Sequence, residues 1–142
     1  MAEHSRYIPQ ELRRQVIERA NGRCEYCRLA QAGQAATFHL DHITAFSVEG
    51  QTTSENLALA CVSCSLRKSA RQIAVDPQTG LESPIFNPRQ QHWSEHFRWD
   101  DIFVVGTTPT GRATADALNM NRAVMLAIRT EEIFFHRHPP KD

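Results

Sequence analysis

Apolar side chains recur at helical spacing near the N-terminus. The apolar stripe consists of Leu12, Val16, Ile17 and Ala20. Positions three and four apart share one face of a helix, so the stripe predicts an amphipathic helix over residues 9–20. Pro9 suits the first turn of this helix, and Gly22 is placed to cap its end.

Residues 37–72 contain several short segments with different hydrophobic patterns. Residues 37–43 are rich in β-branched and aromatic side chains, which predicts a short strand. Residues 47–54 form a polar loop with a turn glycine at position 50. The apolar run that follows favours a short helix or turn over residues 55–60, and a further helix is expected over residues 65–72.

The C-terminal half has a weaker pattern. Turn residues mark positions 76–80 and 87–89. Residues 92–99 mix aromatic and basic side chains at helical spacing, and residues 101–106 are a strand candidate. Apolar side chains then recur with a helical period over residues 114–135.

Composition limits the class of protein. The chain has 142 residues, 41% of them hydrophobic, and no net charge, so a nucleic-acid surface must be a local patch. Residues 1–6 lack the apolar segment of a secretory signal, and no apolar run is long enough to span a membrane. These features indicate a folded, cytoplasmic protein.

Four cysteines fall into two pairs with the same spacing. The pairs are Cys24 with Cys27 and Cys61 with Cys64, each separated by two residues. This spacing lets both thiolates of a tight turn reach one tetrahedral zinc ion, and four thiolates leave no open position for a substrate. We therefore expect a structural zinc ion. Two disulfides or free buried thiols are the alternatives, and a reducing cytosol disfavours the disulfides.

Residues 16–69 resemble the HNH endonucleases, also called His-Me finger or ββα-metal nucleases. The matching segments are Arg23-Cys24-Glu25-Tyr26-Cys27, Asp41-His42-Ile43, Glu55-Asn56-Leu57, Cys61-Val62-Ser63-Cys64 and Lys68. Residues 86–99 are similar to the tails of stand-alone bacterial members.

The resemblance implies an α+β fold with a zinc-braced ββα-metal core over about residues 16–72. The apolar patterns add an N-terminal helix and a C-terminal strand and helix extension over about residues 73–142. Because no internal repeat or low-complexity linker divides the chain, we expect this extension to pack on the core as a single domain.

The resemblance also implies an enzyme that hydrolyses DNA phosphodiester bonds. His42 would be the general base that deprotonates water, and Asp41 would bind one catalytic divalent cation such as Mg²⁺. Asn56 would hold the loop that orients His42. His39 lies on the same strand face as Asp41, where it either approaches the metal or a phosphate or simply packs.

Phosphate contacts are expected from a basic cluster of Arg67, Lys68 and Arg71. Ser65 departs from the family, which usually has His or Asn there to complete the catalytic metal site. The serine hydroxyl is a weaker metal ligand, and it is also a good N-cap for the predicted helix.

Three functions therefore stay open. The first is a metal-dependent DNA endonuclease with structural Zn²⁺ and catalytic Mg²⁺. The second is a weak or inactive zinc-braced nucleic-acid-binding module, which the serine at position 65 favours. The third is an interaction domain, which the zero net charge favours. A homodimer would match a two-fold DNA site.

Overall fold

The computed structural model describes residues 6–141, which form a small mixed fold of helices and short antiparallel strand pairs. The helices are α1 (Gln10–Arg19), α2 (Val62–Lys68), α3 (Pro109–Ala117) and α4 (Ala123–Phe134). The strands are β1 (His39–His42), β2 (Leu57–Ala60), β3 (Ile73–Val75), β4 (Glu82–Pro84), β5 (Phe97–Asp100) and β6 (Phe103–Gly106). Each strand pairs with its neighbour in sequence. The α+β fold class is confirmed.

The N-terminal helix α1 follows the apolar stripe that predicted it. Pro9 immediately precedes its first residue, and Val16 is fully buried on its inner face. Gly22 has φ +66° and donates its N–H to the carbonyl of Ile17, which closes the helix. A left-handed glycine at this place satisfies a carbonyl that the helix itself leaves unpaired.

Strands β1 and β2 form the antiparallel pair at the centre of the first half. Asp41 lies opposite Ala58, and His42 lies opposite Leu57. All four residues of β2 are buried, so the strand lacks the alternation that distinguishes a half-exposed strand from a helix. For this reason the expectation of a short helix or turn over residues 55–60 was wrong.

Helix α2 starts earlier and ends earlier than expected. Cys61 is its N-cap, and the sulfur of this residue accepts the N–H of Cys64. Ser65 therefore lies inside the helix, where its N–H bonds to the carbonyl of Cys61, and it is not the N-cap. The helix ends at Lys68 because Ser69 has φ +48°, a conformation that glycine adopts more easily.

The second half contains two hairpins and two helices. The turn over residues 76–80 joins β3 to β4, as expected. The segment 92–99 is a short 3-10 turn that runs into β5, not a helix, because its aromatic side chains pack into the core from an extended backbone.

The helical period over residues 114–135 is divided between α3 and α4. The two helices are separated around Asn119, which has φ +46°. The side chain of Asn121 then pairs with both backbone groups of Val104 on β6. This contact ties the break between the helices to the second hairpin.

Buried side chains of both halves form one hydrophobic cluster that runs from Val16 to Met125. Trp93 joins the halves directly, because its indole N–H donates to the carbonyl of Tyr26 at 2.8 Å. Arg89 pairs with the buried carboxylate of Glu25 at the same junction. Residues of the C-terminal half therefore supply part of the hydrophobic core that packs against the two cysteine pairs.

A search of the described residues finds no helix with the length and apolarity needed to cross a membrane. The expectation that no secretory signal is present concerns residues 1–6, and residues 1–5 lie outside the described part of the chain.

Candidate metal centre and catalytic site

The four cysteines meet at one point, as their spacing predicted. Their sulfurs, from Cys24, Cys27, Cys61 and Cys64, all lie within 4.8 Å of one another, and all four residues are buried. Among residues 6–141 this is the one cluster of three or more His, Cys, Asp or Glu side chains that could hold a metal ion. Four buried sulfurs at this separation fit a closed, tetrahedral zinc site.

The four sulfurs also influence one another's protonation. Hydrogen bonds from the other three sulfurs, that of Cys24 first, lower the pKa of Cys61. Hydrogen bonding with Cys24 is the largest cause of the raised pKa of Cys27 and of Cys64. Four thiolates so close together need a cation to offset their repulsion. The four cysteines would hold a zinc ion as thiolates, and the ion would supply that charge.

A buried arginine lies near the cysteines. Arg129 on α4 is 3% exposed and donates to the carbonyls of Ile102 and Met120 at 2.9 and 2.6 Å. Burial lowers the pKa of its guanidinium, and the negative charge of the nearby cysteines acts in the opposite direction. Its positive charge would partly balance the net negative charge of four thiolates around one zinc ion.

Asp41 lies in the core beside the cysteine frame. It is 8% exposed, and its Oδ2 accepts the hydroxyl of Tyr26 at 2.9 Å and lies 3.1 Å from Nζ of Lys68. Burial raises the pKa of the Asp41 carboxyl, and the Lys68 ammonium is the largest opposing cause. Both contacts use Oδ2, so Oδ1 is the oxygen left for a cation.

Lys68 reaches inward from α2 instead of out into solvent. It is 1% exposed, and its Nζ donates to the carbonyls of His42 and Ile43 at 3.2 and 3.0 Å. With Asp41 these carbonyls surround the ammonium with three oxygen atoms. This differs from the expectation that Lys68 contacts phosphate, because a side chain so enclosed has no free donor at the surface.

His42 ends β1 and is partly exposed. Its Nε2 lies 2.9 Å from the hydroxyl oxygen of Thr52, and its ring meets Phe46 edge-on. The ring also lines an open depression of about 280 Å³, together with Arg6 and Ser69. A histidine that is oriented by a neighbour and open to solvent is suited to exchange protons with water.

Asn56 ties together the loop that follows His42. Its Oδ1 accepts the N–H of Thr44 at 2.8 Å. Its Nδ2 donates to the carbonyls of Thr44 and Gln51 at 3.0 and 2.8 Å. These contacts close the loop that also carries Thr52, the partner of His42.

Ser65 on α2 contacts β1, and the basic residues in and just after α2 lie in two different environments. The hydroxyl oxygen of Ser65 lies 2.9 Å from Nδ1 of His39, so the two side chains make one hydrogen bond. Arg67 and Arg71 are exposed, unlike Lys68. The structure therefore divides the basic cluster into two surface cations and one buried cation.

Sequence reasoning missed Tyr26 and Thr52 as partners of Asp41 and His42. Tyr26 lies inside the first cysteine pair, and Thr52 lies in a polar loop, so neither has a spacing that marks it. The buried pair of Glu25 and Arg89 was also missed, because 64 residues separate its members.

Comparison with known families agrees with the motif analysis. Residues 24–71 match the family model described as HNH endonuclease. No curated protein and no solved structure gives a match. The matched span contains both cysteine pairs, β1, β2 and α2, and it begins at the first cysteine of the metal centre. Residues 24–71 are therefore similar to an HNH endonuclease domain, and they contain the four cysteines that could hold zinc.

Proposed function

We propose that the protein is a metal-dependent DNA endonuclease that hydrolyses phosphodiester bonds, with His42 as its general base. The observation that carries the proposal is the position of His42 within the HNH domain. Its imidazole contacts Thr52 and also lines a solvent-open depression. An endonuclease needs a base in such a place, because the attacking water must reach it.

The chemistry of imidazole suits this role. A neutral imidazole has one ring nitrogen that can accept a proton, and it can pass that proton on. His42 takes the proton of the attacking water as the new P–O bond forms and the bond to the leaving oxygen breaks. The contact with Thr52 fixes the ring plane during this transfer.

Asn56 acts on His42 through the loop. Its three hydrogen bonds to Thr44 and Gln51 hold the backbone between His42 and Thr52 in one shape. It is a positioning residue, because its side chain is fully engaged with backbone groups and does not contact the imidazole.

Asp41 and Ser65 are the residues that would hold the catalytic cation. Both offer hard oxygen donors, and Mg²⁺ is commonly bound through one or two carboxylates together with substrate phosphate. When bound, the ion supplies positive charge for the phosphate oxygens and the leaving group. Lys68 lies 3.1 Å from Asp41 and repels a second cation, so we expect metal affinity to be weak.

DNA contacts fall to the exposed cations near the end of α2. Arg67 and Arg71 are exposed, and neither forms an ion pair among the described residues. Since the chain has no net charge, a local patch of this kind is how it would attract a phosphate backbone.

A second candidate function is a nucleic-acid-binding module without catalysis. The pair of Asp41 and Lys68 favours it, because a buried ammonium already neutralises the carboxylate that would bind the cation. The serine at position 65 favours it as well. In this case the DNA surface would persist and hydrolysis would be absent.

Incubation with supercoiled plasmid separates the two functions. The endonuclease predicts nicked or linear product that depends on added Mg²⁺ or Mn²⁺, and a gel shift without product favours the binding module. Ser65→Asn adds a carbonyl oxygen at the family's usual ligand position. It should lower the Mg²⁺ concentration for half-maximal cleavage, and an unchanged half-saturation point would remove Ser65 from the metal site.

A further inference from the structure

A pocket of about 470 Å³ lies between α2, α4 and the segment that leads from the first cysteine pair to β1. Its walls are mainly apolar and include Leu29, Phe38, Leu66, Met125 and Ile128. Small-molecule and cofactor sites have volumes of about this size. We refer to it as the α2–α4 pocket.

Basic side chains line the α2–α4 pocket, beside the sulfur of Cys61. Arg67 and Arg122 line it, and no acidic residue does. Neither arginine forms an ion pair among the described residues. Nε of Arg122 is buried and has no hydrogen-bond partner there, which is costly unless a ligand supplies an acceptor. An apolar pocket with two unpaired guanidiniums fits a ligand with a flat apolar body and anionic flanks.

We infer that the α2–α4 pocket binds an unpaired nucleobase of the DNA substrate, with Arg67 and Arg122 on the neighbouring phosphates. The inference rests on the proposed function and names the substrate class more closely. Arg67 belongs to both the pocket and the proposed phosphate surface, so the two are continuous. The amide of Gln34, also in the lining, can read the polar edge of a base.

The energetics favour distorted DNA over a regular duplex. Stacking a base on a protein surface changes affinity by about fivefold to about a hundredfold. A paired base must first leave its stack, which costs much of this gain, whereas a bulged base is nearly free to move. The protein should therefore bind a duplex with a single-nucleotide bulge about tenfold more tightly than the same duplex fully paired.

The test is fluorescence anisotropy with two labelled duplexes, one fully paired and one with a bulged 2-aminopurine, in buffer without added divalent cation. Arg122→Gln and Leu66→Ala should remove the preference for the bulge. Both side chains are at least partly exposed, and Leu66 is 67% exposed, so neither change threatens the fold. Arg98→Gln is the matched control, since Arg98 is exposed and does not line the pocket.

Each outcome either supports or overturns the inference. A bulge preference that disappears in Arg122→Gln and Leu66→Ala but persists in Arg98→Gln supports the inference. Equal affinity for both duplexes, in a protein that cleaves plasmid, overturns the inference and leaves the proposed function standing. A preference that survives in both pocket variants also overturns it. If the protein neither binds these duplexes nor cleaves plasmid, the inference and the proposed function fail together.

Discussion

Nζ of Lys68 lies 3.1 Å from Oδ2 of Asp41, and both side chains are buried. The same ammonium donates to the carbonyls of His42 and Ile43. Lys68 thus holds the backbone at the end of β1, where the proposed base His42 lies. The pair couples the stability of the hairpin to the geometry of the site.

We predict that Lys68→Met lowers the free energy of unfolding by about 3–5 kcal/mol, because it leaves the Asp41 carboxylate buried without its counter-charge. Lys68→Met combined with Asp41→Asn should regain much of this loss, since the second change removes the unpaired charge. Urea unfolding of the parent, both single variants and the double variant measures the coupling. Additive losses would show that the two groups do not interact.

Removal of the metal should unfold the core. We expect one zinc ion per chain by elemental analysis, and Cys24→Ser or Cys61→Ser should lower both the zinc content and the melting temperature. Metal-binding energy is folding energy in such sites. Ser63→Ala is the matched control, because Ser63 lies within the second cysteine pair and is not one of the four expected zinc ligands. Zinc-free protein with an unchanged melting curve would contradict the assignment.

Asn56→Ala should loosen the loop between His42 and Asn56. The change removes three hydrogen bonds to backbone groups, and a loss of about 1–3 kcal/mol is expected because they are partly exposed to solvent. Hydrogen exchange at the Thr44 amide is the direct readout and should become faster. Gln90→Ala, at an exposed position, is the control. Unchanged exchange at Thr44 would mean that the loop is held by other contacts.

A pH dependence of stability follows from Asp76 and Arg112, which are joined by two hydrogen bonds of 3.0 and 2.8 Å. The hydrogen bonds from Arg112 lower the pKa of Asp76 to about 2. In the unfolded chain the pKa is about 3.9, so the ionised carboxylate stabilises the fold above about pH 4. This contribution is lost as the pH falls from about 4 towards 2.

Chemical unfolding of the parent and of Asp76→Asn between about pH 3 and about pH 6 checks this dependence, because that range begins about one unit below the unfolded pKa and ends about two units above it. The parent should be more stable than Asp76→Asn at the upper end, and the difference should shrink at the lower end. Asp100→Asn, at an exposed position, should follow the parent throughout. A stability difference that stays constant with pH would show that the ionisation of Asp76 does not contribute to the pH dependence.

The sequence predicted the parts of the site that depend on spacing. The cysteine pairs, the position of His42 on a strand and the helix before the first cysteine follow from local periodicity and motif intervals. The strand β2 did not, because an apolar run buried on both faces has no period to detect.

Lys68 shows where more could have been read. Residues four apart share a helix face, so Lys68 lies on the same face of α2 as the buried Cys64. Its neighbours Arg67 and Arg71 could stay exposed. The partners of the buried charges, such as Tyr26 for Asp41, depend on tertiary packing and carry no signal in the sequence.

The role proposed for His42 is that of the general base. Its most direct test is the cleavage rate of supercoiled plasmid by His42→Ala at saturating Mg²⁺, with DNA affinity measured in parallel. The matched control is His92→Ala, an exposed histidine in the C-terminal half. We predict a loss of about 10²–10⁴-fold in rate for His42→Ala, with near-parental DNA affinity and melting temperature, and no loss for His92→Ala. Parental cleavage by His42→Ala would contradict the claim.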